Sequence, residues 1–277
     1  MCEFCKEHGE GKKWYLNVKN YGHDLLSDIK RKDLIHNFYH SIIDKGINGL
    51  QRLEKTFAGG KKVPQFLKDR FAKNNKEVHY GQVIPIEDVR TIFEMSSSVA
   101  RIACGCRWAA GKKEERCCFG ITLDPKPWYK EFDTDYFGKP ELAQHEVMSA
   151  QAAMEEIERF DRQGLIHSVW TFMTPFIGGI CNCDIEGCLA MRSTHGLGLP
   201  MMFRAEYIAE INAAACSGCR KCEKLCPVKA IDNDGTAKKC IVDKTKCYGC
   251  GVCRSACSFN AVKLLARDSD PVAANLW

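Results

Sequence analysis

The sequence predicts an α+β protein: a mainly helical N-terminal and central region, followed by a small C-terminal module of short strands. Three observations carry this reading. Apolar residues recur at helical intervals through much of the first part of the 277-residue chain. The last quarter holds two cysteine runs inside an internal repeat of about thirty residues. A second group of cysteines lies between these regions, following helical segments.

Taken in order, residues 24–57 place Leu25, Leu26, Ile29, Leu34, Ile35, Phe38 and Ile42 at helical spacing, with Gly46, Gly49 and Gly59-Gly60 interrupting or ending the run. Val63-Pro64 opens another helix through Phe66, Leu67 and Phe71. After Pro85, residues 86–102 read as a helix with Val89, Ile92, Phe93 and Val99 on one face, leading into Cys104-Gly105-Cys106-Arg107. Residues 123–140 mix Pro125, Pro127, Gly138 and Pro140 with aromatics and read as an ordered loop, its Trp128-Tyr129 pair packed in the core. Residues 141–163 form the clearest helix, closed by Gly164, and 166–172 follow as a strand. In the C-terminal module, 204–212 pairs with 262–265, and 230–231 with 240–242 as an inner hairpin.

The domain scheme is a helical N-terminal region at 1–80 and a cysteine-rich domain with an additional metal cluster at 81–202. The repeat module follows at 203–267, and a tail at 268–277.

The two runs are Cys216-x2-Cys219-x2-Cys222-x3-Cys226-Pro227 and Cys247-x2-Cys250-x2-Cys253-x3-Cys257. A short loop of this spacing wraps an iron–sulfur cube and offers three thiolates to three irons; in the bacterial two-cluster pattern, the fourth cysteine of each run ligates the other cluster. The expected ligand sets are therefore Cys216, Cys219, Cys222 and Cys257 for one [4Fe–4S] cluster, and Cys247, Cys250, Cys253 and Cys226 for the other. The module at 203–267 reads as a bacterial-type dicluster ferredoxin domain. Ser258 stands where the second run would carry its proline, which removes no ligand.

The formal charge of +5 counts every cysteine as neutral. A tetrathiolate cubane carries about −2, because coordination deprotonates its thiols, so two clusters bring the chain to about +1 and three to about −1. The basic balance thus compensates clusters and calls for no nucleic acid. Lys61, Lys62, Lys68, Arg70, Lys73 and Lys76 remain locally basic, as a solvated face or a docking patch for an acidic redox partner. Met1-Cys2-Glu3-Phe4-Cys5-Lys6 shows no apolar leader, and no apolar stretch is long enough to span a bilayer. Metal-bound thiolates in a reducing cytoplasm fit the eighteen cysteines better than disulfides.

The central cysteines are Cys104, Cys106, Cys117, Cys118, Cys181, Cys183 and Cys188. Buried free thiols behave as small hydrophobes, which suits the isolated Cys240. Paired Cys-x-Cys motifs, with Gly105 and Gly187 easing backbone approach, point instead to a metal site: a third iron–sulfur cluster, or zinc in a closed tetrathiolate. Which four ligate stays open. Cys2-x2-Cys5-x2-His8 is either a half-site completed by central cysteines or a frayed end with free thiols. It lacks the histidine placement of covalent haem attachment.

The order Val83-Ile84-Pro85-Ile86-Glu87-Asp88-Val89, Cys104-Gly105-Cys106-Arg107, Cys117-Cys118-Phe119-Gly120, Gly164-Leu165-Ile166-His167 and Ile180-Cys181-Asn182-Cys183 resembles a family. Its members are the 4Fe-4S dicluster ferredoxin-domain proteins of anaerobic bacteria and archaea with an upstream cysteine-rich domain. The resemblance covers roughly residues 80–265. Many members carry more cysteines after the Asn-Cys pair, whereas here Asp184, Ile185 and Glu186 precede Cys188. The resemblance implies electron transfer in an anaerobic setting and names no substrate.

No Cys-x3-Cys-x2-Cys, Gly-x-Gly-x-x-Gly or P-loop occurs, so radical initiation, dinucleotide binding and nucleotide hydrolysis are not signalled. His145 and His167 read as packed or surface residues, and His195 as a loop histidine. The catalytic residues stay unknown. The chain reads as an iron–sulfur electron-transfer protein relaying single low-potential electrons, as a subunit or partner of an anaerobic oxidoreductase. The alternative is an oxidoreductase whose chemistry takes place at the central metal site, fed by the ferredoxin domain.

Overall fold

A computed structural model describes residues 13–276 except 60, 112, 114, 125, 236 and 237. Cys2, Cys5 and His8 lie outside the described residues. Short 3-10 turns lead into helix α1 (Ile29–His36), a π-helical segment (Tyr39–Asp44), α2 (Lys45–Thr56) and α3 (Gln65–Val78). α3 buries none of its side chains and carries Lys68, Arg70, Lys73 and Lys76, while Lys61 and Lys62 are exposed in the loop before it. Then come β1 (Gly81–Val83), α4 (Ile86–Met95), β2 (Ser98–Ile102), α5 (Gly105–Gly111), β3 (Cys118–Thr122), β4 (Glu146–Met148), α6 (Ala150–Arg162), β5 (Ile166–Thr171), β6 (Ile177–Cys183) and β7 (Met202–Phe203).

The α+β class holds, but the central region is not mainly helical. It is built on a seven-stranded sheet of order β4-β2-β3-β6-β5-β1-β7. Every pairing is antiparallel except β1 with β7. Two expected helices were too long for one reason: serine caps reset the backbone. α4 ends at Ser96, and Val99 joins β2 opposite Ile121 of β3 instead of continuing the helix. α6 starts only at Ser149, whose side chain accepts from the Ala152 N–H at 3.1 Å. The preceding residues form one helical turn and then the edge strand β4. Gly164, at φ 85°, closes α6 as expected.

Alternation along the strands sorts the sheet's two faces. Phe119 pairs with Ile180, and both point into a core with Val89, Ile92 and Phe93 of α4 and Ile157 and Phe160 of α6. Trp14 and Tyr15 join this core; Trp14 Nε1 donates to Gln82 Oε1 at 2.6 Å and Tyr15 Oη to Asp88 Oδ2 at 2.8 Å. Cys118 pairs with Cys181 and faces the other way. That second face is covered by an aromatic cluster including Phe38, Tyr39, Trp128, Tyr129, Phe132 and Phe172. Glycines let the rings lie against backbone: a Cβ on Gly178 would stand 2.2 Å from Trp128, and one on Gly120 2.8 Å from Tyr129.

The C-terminal module has the expected strands. β8 (Tyr207–Ile211) pairs antiparallel with β11 (Val262–Ala266), and β9 (Ile231–Asp234) with β10 (Lys239–Val242). Helix α7 (Lys221–Leu225) lies between. The module packs directly on the sheet domain: its valines and cysteines share one apolar core with Ile166, Trp170, Leu189 and Met191. Arg254 pairs with Glu87 at 2.7 Å, and the Leu225 carbonyl oxygen would stand 3.1 Å from a Cβ on Gly164, a tight contact.

Candidate metal centres

The repeat is visible residue by residue in backbone geometry. Gly218 and Gly249, Arg220 and Gly251, and Lys229 and Asn260 all take positive φ, each pair at equivalent places in its run. These left-handed residues turn successive N–H groups inward, a concave arrangement that suits anionic iron–sulfur sites. Four such donors reach sulfur: Gly218 N–H to Cys216 at 3.4 Å, Gly249 to Cys247 at 3.4 Å, Ala230 to Cys226 at 3.3 Å and Ala261 to Cys257 at 3.3 Å. A Cβ at Gly218 would meet the Lys238 carbonyl oxygen at 2.0 Å, and one at Gly249 the Tyr207 carbonyl oxygen at 2.0 Å.

Cys216, Cys219, Cys222 and Cys257 line one small cavity, which brings the fourth cysteine of the second run to the first three of the other. Cys226 likewise lies within electrostatic reach of Cys247, Cys250 and Cys253. The two pockets differ in exposure: Cys219 is exposed, whereas Cys247, Cys250 and Cys253 are buried. Burial pushes Cys222 up to about 12 and raises Cys253 well above the ordinary thiol range. Backbone hydrogen bonds instead lower Cys216 and Cys219, and a bound cation would take the place of the protons on the raised thiols. Cys240 also lines the first cavity, in hydrogen-bond contact with Cys216 and Cys222. It is buried, as the isolated-hydrophobe reading expects, but it is not isolated from the other thiols.

Residues 209–261 match the family model of the 4Fe-4S dicluster domain. No curated protein matches the chain. The dicluster segment supports an iron–sulfur electron-transfer role, and no described helix is long and apolar enough to cross a membrane.

The central thiols converge from four places in the sequence. Cys118 and Cys181 are opposite each other on β3 and β6, and Cys183 lies two residues further along β6 on the same face. Cys104 and Cys106 flank Gly105 at the start of α5, and Cys188 follows the turn after β6. The Sγ atoms of Cys104, Cys117 and Cys118 lie within 4.8 Å of one another. Cys104 contacts Cys106, Cys117 and Cys118; Cys106 contacts Cys188; Cys118 contacts Cys181. Cys188 and Cys183 approach to 3.3 Å. All seven predicted residues therefore form one connected set. Six of them line a cavity of about 70 Å³ whose other wall is the aromatic cluster.

Hydrogen bonds from neighbouring thiols hold Cys104 and Cys188 well below the ordinary thiol range, while Cys106, Cys117, Cys118 and Cys183 are driven well above it.

Sequence reasoning missed the polar groups around this set. Arg107 is buried; Nη1 donates to the Cys117 sulfur and approaches Cys104 Sγ at 3.8 Å, while Nε and Nη2 pair with Glu115 at 2.7 Å and Asp184 at 2.5 Å. Burial opposes its charge, but Cys117, Cys104 and Asp184 outweigh it, so it stays protonated. Tyr39 lies against Gly105, where a Cβ would stand 2.7 Å from its ring. His167, fully buried as a packed residue, bonds through Nδ1 to Asn182 Oδ1 at 2.6 Å and through Nε2 to Asp161 at 3.3 Å. Asn182 Nδ2 in turn donates to the Cys117 carbonyl at 2.7 Å. Arg107 follows Cys106 directly, the one local signal available; Tyr39 had none. His195 is exposed in a short π-helical turn, Arg192–Gly196.

Proposed function

We propose that this protein relays single low-potential electrons through two [4Fe–4S] clusters, as a subunit or partner of an oxidoreductase in an anaerobic cytoplasm. One cluster is held by Cys216, Cys219, Cys222 and Cys257, the other by Cys247, Cys250, Cys253 and Cys226. The observation that carries this reading is the pair of repeat-related thiol pockets with backbone N–H groups turned onto sulfur. Such hydrogen bonds, with burial, tune cluster potential. Electrons enter or leave at the exposed Cys219 side, since transfer to a partner needs a cluster near the surface. The central chamber, formed by Cys104, Cys106, Cys117, Cys118, Cys181, Cys183 and Cys188, holds a further metal centre, iron–sulfur or zinc.

The ligand assignment is tested by Cys216→Ala and Cys247→Ala. Each variant is expected to lose one of two cubane EPR signals and about four irons per chain. A variant with full iron and two reducible cubanes refutes the assignment.

A second reading is catalysis at the central centre, with electrons delivered by the dicluster segment. The buried, charged Arg107 against the thiols favours it, because a guanidinium held at the sulfurs can stabilise charge that builds up there during a reaction. An exogenous ligand that perturbs the spectrum of the central centre alone would support catalysis over relay.

A further inference from the structure

Sulfur spacing separates two kinds of metal centre. On a single tetrahedral ion, metal–sulfur bonds of about 2.3 Å put thiolates roughly 3.8 Å apart. On a cubane each thiolate goes to a different iron, and the sulfurs stand roughly 6 Å apart. Cys104, Cys117 and Cys118 have their sulfurs within 4.8 Å of one another, and Cys183 and Cys188 are 3.3 Å apart. The dicluster segment serves as an internal reference. Among the described residues, no trio of its thiols comes within that 4.8 Å limit. By the same limit Cys104, Cys117 and Cys118 are the one central trio among the described residues, while Cys183 and Cys188 form a close pair; these two spacings suit shared single ions rather than a cube.

Their connectivity adds a count. Cys104, Cys117, Cys118 and Cys181 form one group, and Cys106, Cys183 and Cys188 another. Cys104 touches both, through Cys106. Two tetrahedral ions that share one thiolate need about seven thiolates in all, since one ligand serves twice. We propose that the central cysteines hold a dinuclear centre of two thiophilic divalent ions, zinc or iron, bridged by Cys104. This rests on the reading above that the chamber holds metal, and it replaces a third cubane by a sulfide-free centre. Two divalent ions with seven thiolates leave a net charge of about −3, and Arg107 lies against the bridging and terminal sulfurs where that charge accumulates.

The test is total iron, zinc and acid-labile sulfide on anaerobically purified full-length protein. The expected result is about eight sulfides per chain, from the cubanes, with about two metal ions in excess of the eight cubane irons. About twelve irons with about twelve sulfides would overturn the dinuclear centre while leaving a metal-bearing chamber. About eight of each with no other metal would overturn both readings. Cys104→Ser is expected to lose both excess ions and Cys181→Ser at most one, with the two cubane EPR signals retained as evidence of folding. Equal loss of a single ion in both variants would refute Cys104 as the bridge.

Discussion

Replacing Gly249 by alanine tests the link between backbone geometry and cluster binding most directly. Gly249 sits at φ 71°, where an L-residue costs about 1–2 kcal/mol. The new Cβ would also stand 2.0 Å from the Tyr207 carbonyl oxygen and 2.7 Å from its carbon. Those atoms belong to β8, held to β11 along five register pairs, so the loop must yield rather than the strand. Forced overpacking of this kind adds roughly 1–3 kcal/mol. Together the two costs come to about 2–5 kcal/mol, which lowers an apparent melting temperature by roughly 5–20 °C for a chain of this size. The displaced loop also carries the Gly249 N–H that donates to Cys247 sulfur at 3.4 Å, so cluster retention should fall with stability. The assay is thermal unfolding of anaerobic holoprotein at a fixed scan rate, read beside iron content. Gly49→Ala is the control: nothing lies within 4 Å of its added Cβ and it occupies the middle of α2, so it should stabilise by up to about 1 kcal/mol. If Gly249→Ala melts within about 1 °C of wild type with full iron, the claim that this loop needs a left-handed glycine to approach β8 is wrong.

Further expectations concern the central chamber. Arg107→Met removes the buried charge facing Cys117 and Cys104, together with its pairs to the partly exposed Asp184 and Glu115; metal analysis should show loss of central metal with both cubane signals intact. Asn182→Ala leaves the buried His167 Nδ1 without its partner, while the Cys117 carbonyl keeps the residue 182 backbone N–H at 3.0 Å; a loss of roughly 1–3 kcal/mol should be readable as a lower denaturation midpoint. His79 is buried and its pKa is lowered to about 4, because burial outweighs its bond to the Thr171 carbonyl. The folded state therefore binds its proton less readily than the unfolded state. The stability this preserves is full above pH ~6.5 and is lost as pH falls from there toward 4, by roughly 3 kcal/mol in all. His79→Gln should flatten that part of the stability–pH curve, and an unchanged slope between pH 7 and 5 would contradict the assignment.

The sequence by itself determined the dicluster module. Two runs of short, fixed cysteine spacing encode loops that close on themselves, and the strand pairs β8–β11 and β9–β10 follow from apolar segments flanking each run. Such information is local or repeated, so it can be read without the fold. The central site was legible only as a set of residue types. Cys118 and Cys181 are far apart in sequence and meet because β3 and β6 pair in one register; a slip of one strand by one residue would turn its cysteine away from the chamber. The seven-stranded sheet itself was hidden, because Ser96 and Ser149 end one helix and start another inside segments whose apolar spacing continues the helical pattern. Arg107 reaches the Cys117 sulfur by a hydrogen bond from α5, and Tyr39 joins the thiols by packing from the π-helical segment. Spacing along a chain specifies a loop, whereas the distance between sulfurs from separate strands is set by strand register and by what packs behind them, and those depend on the whole fold.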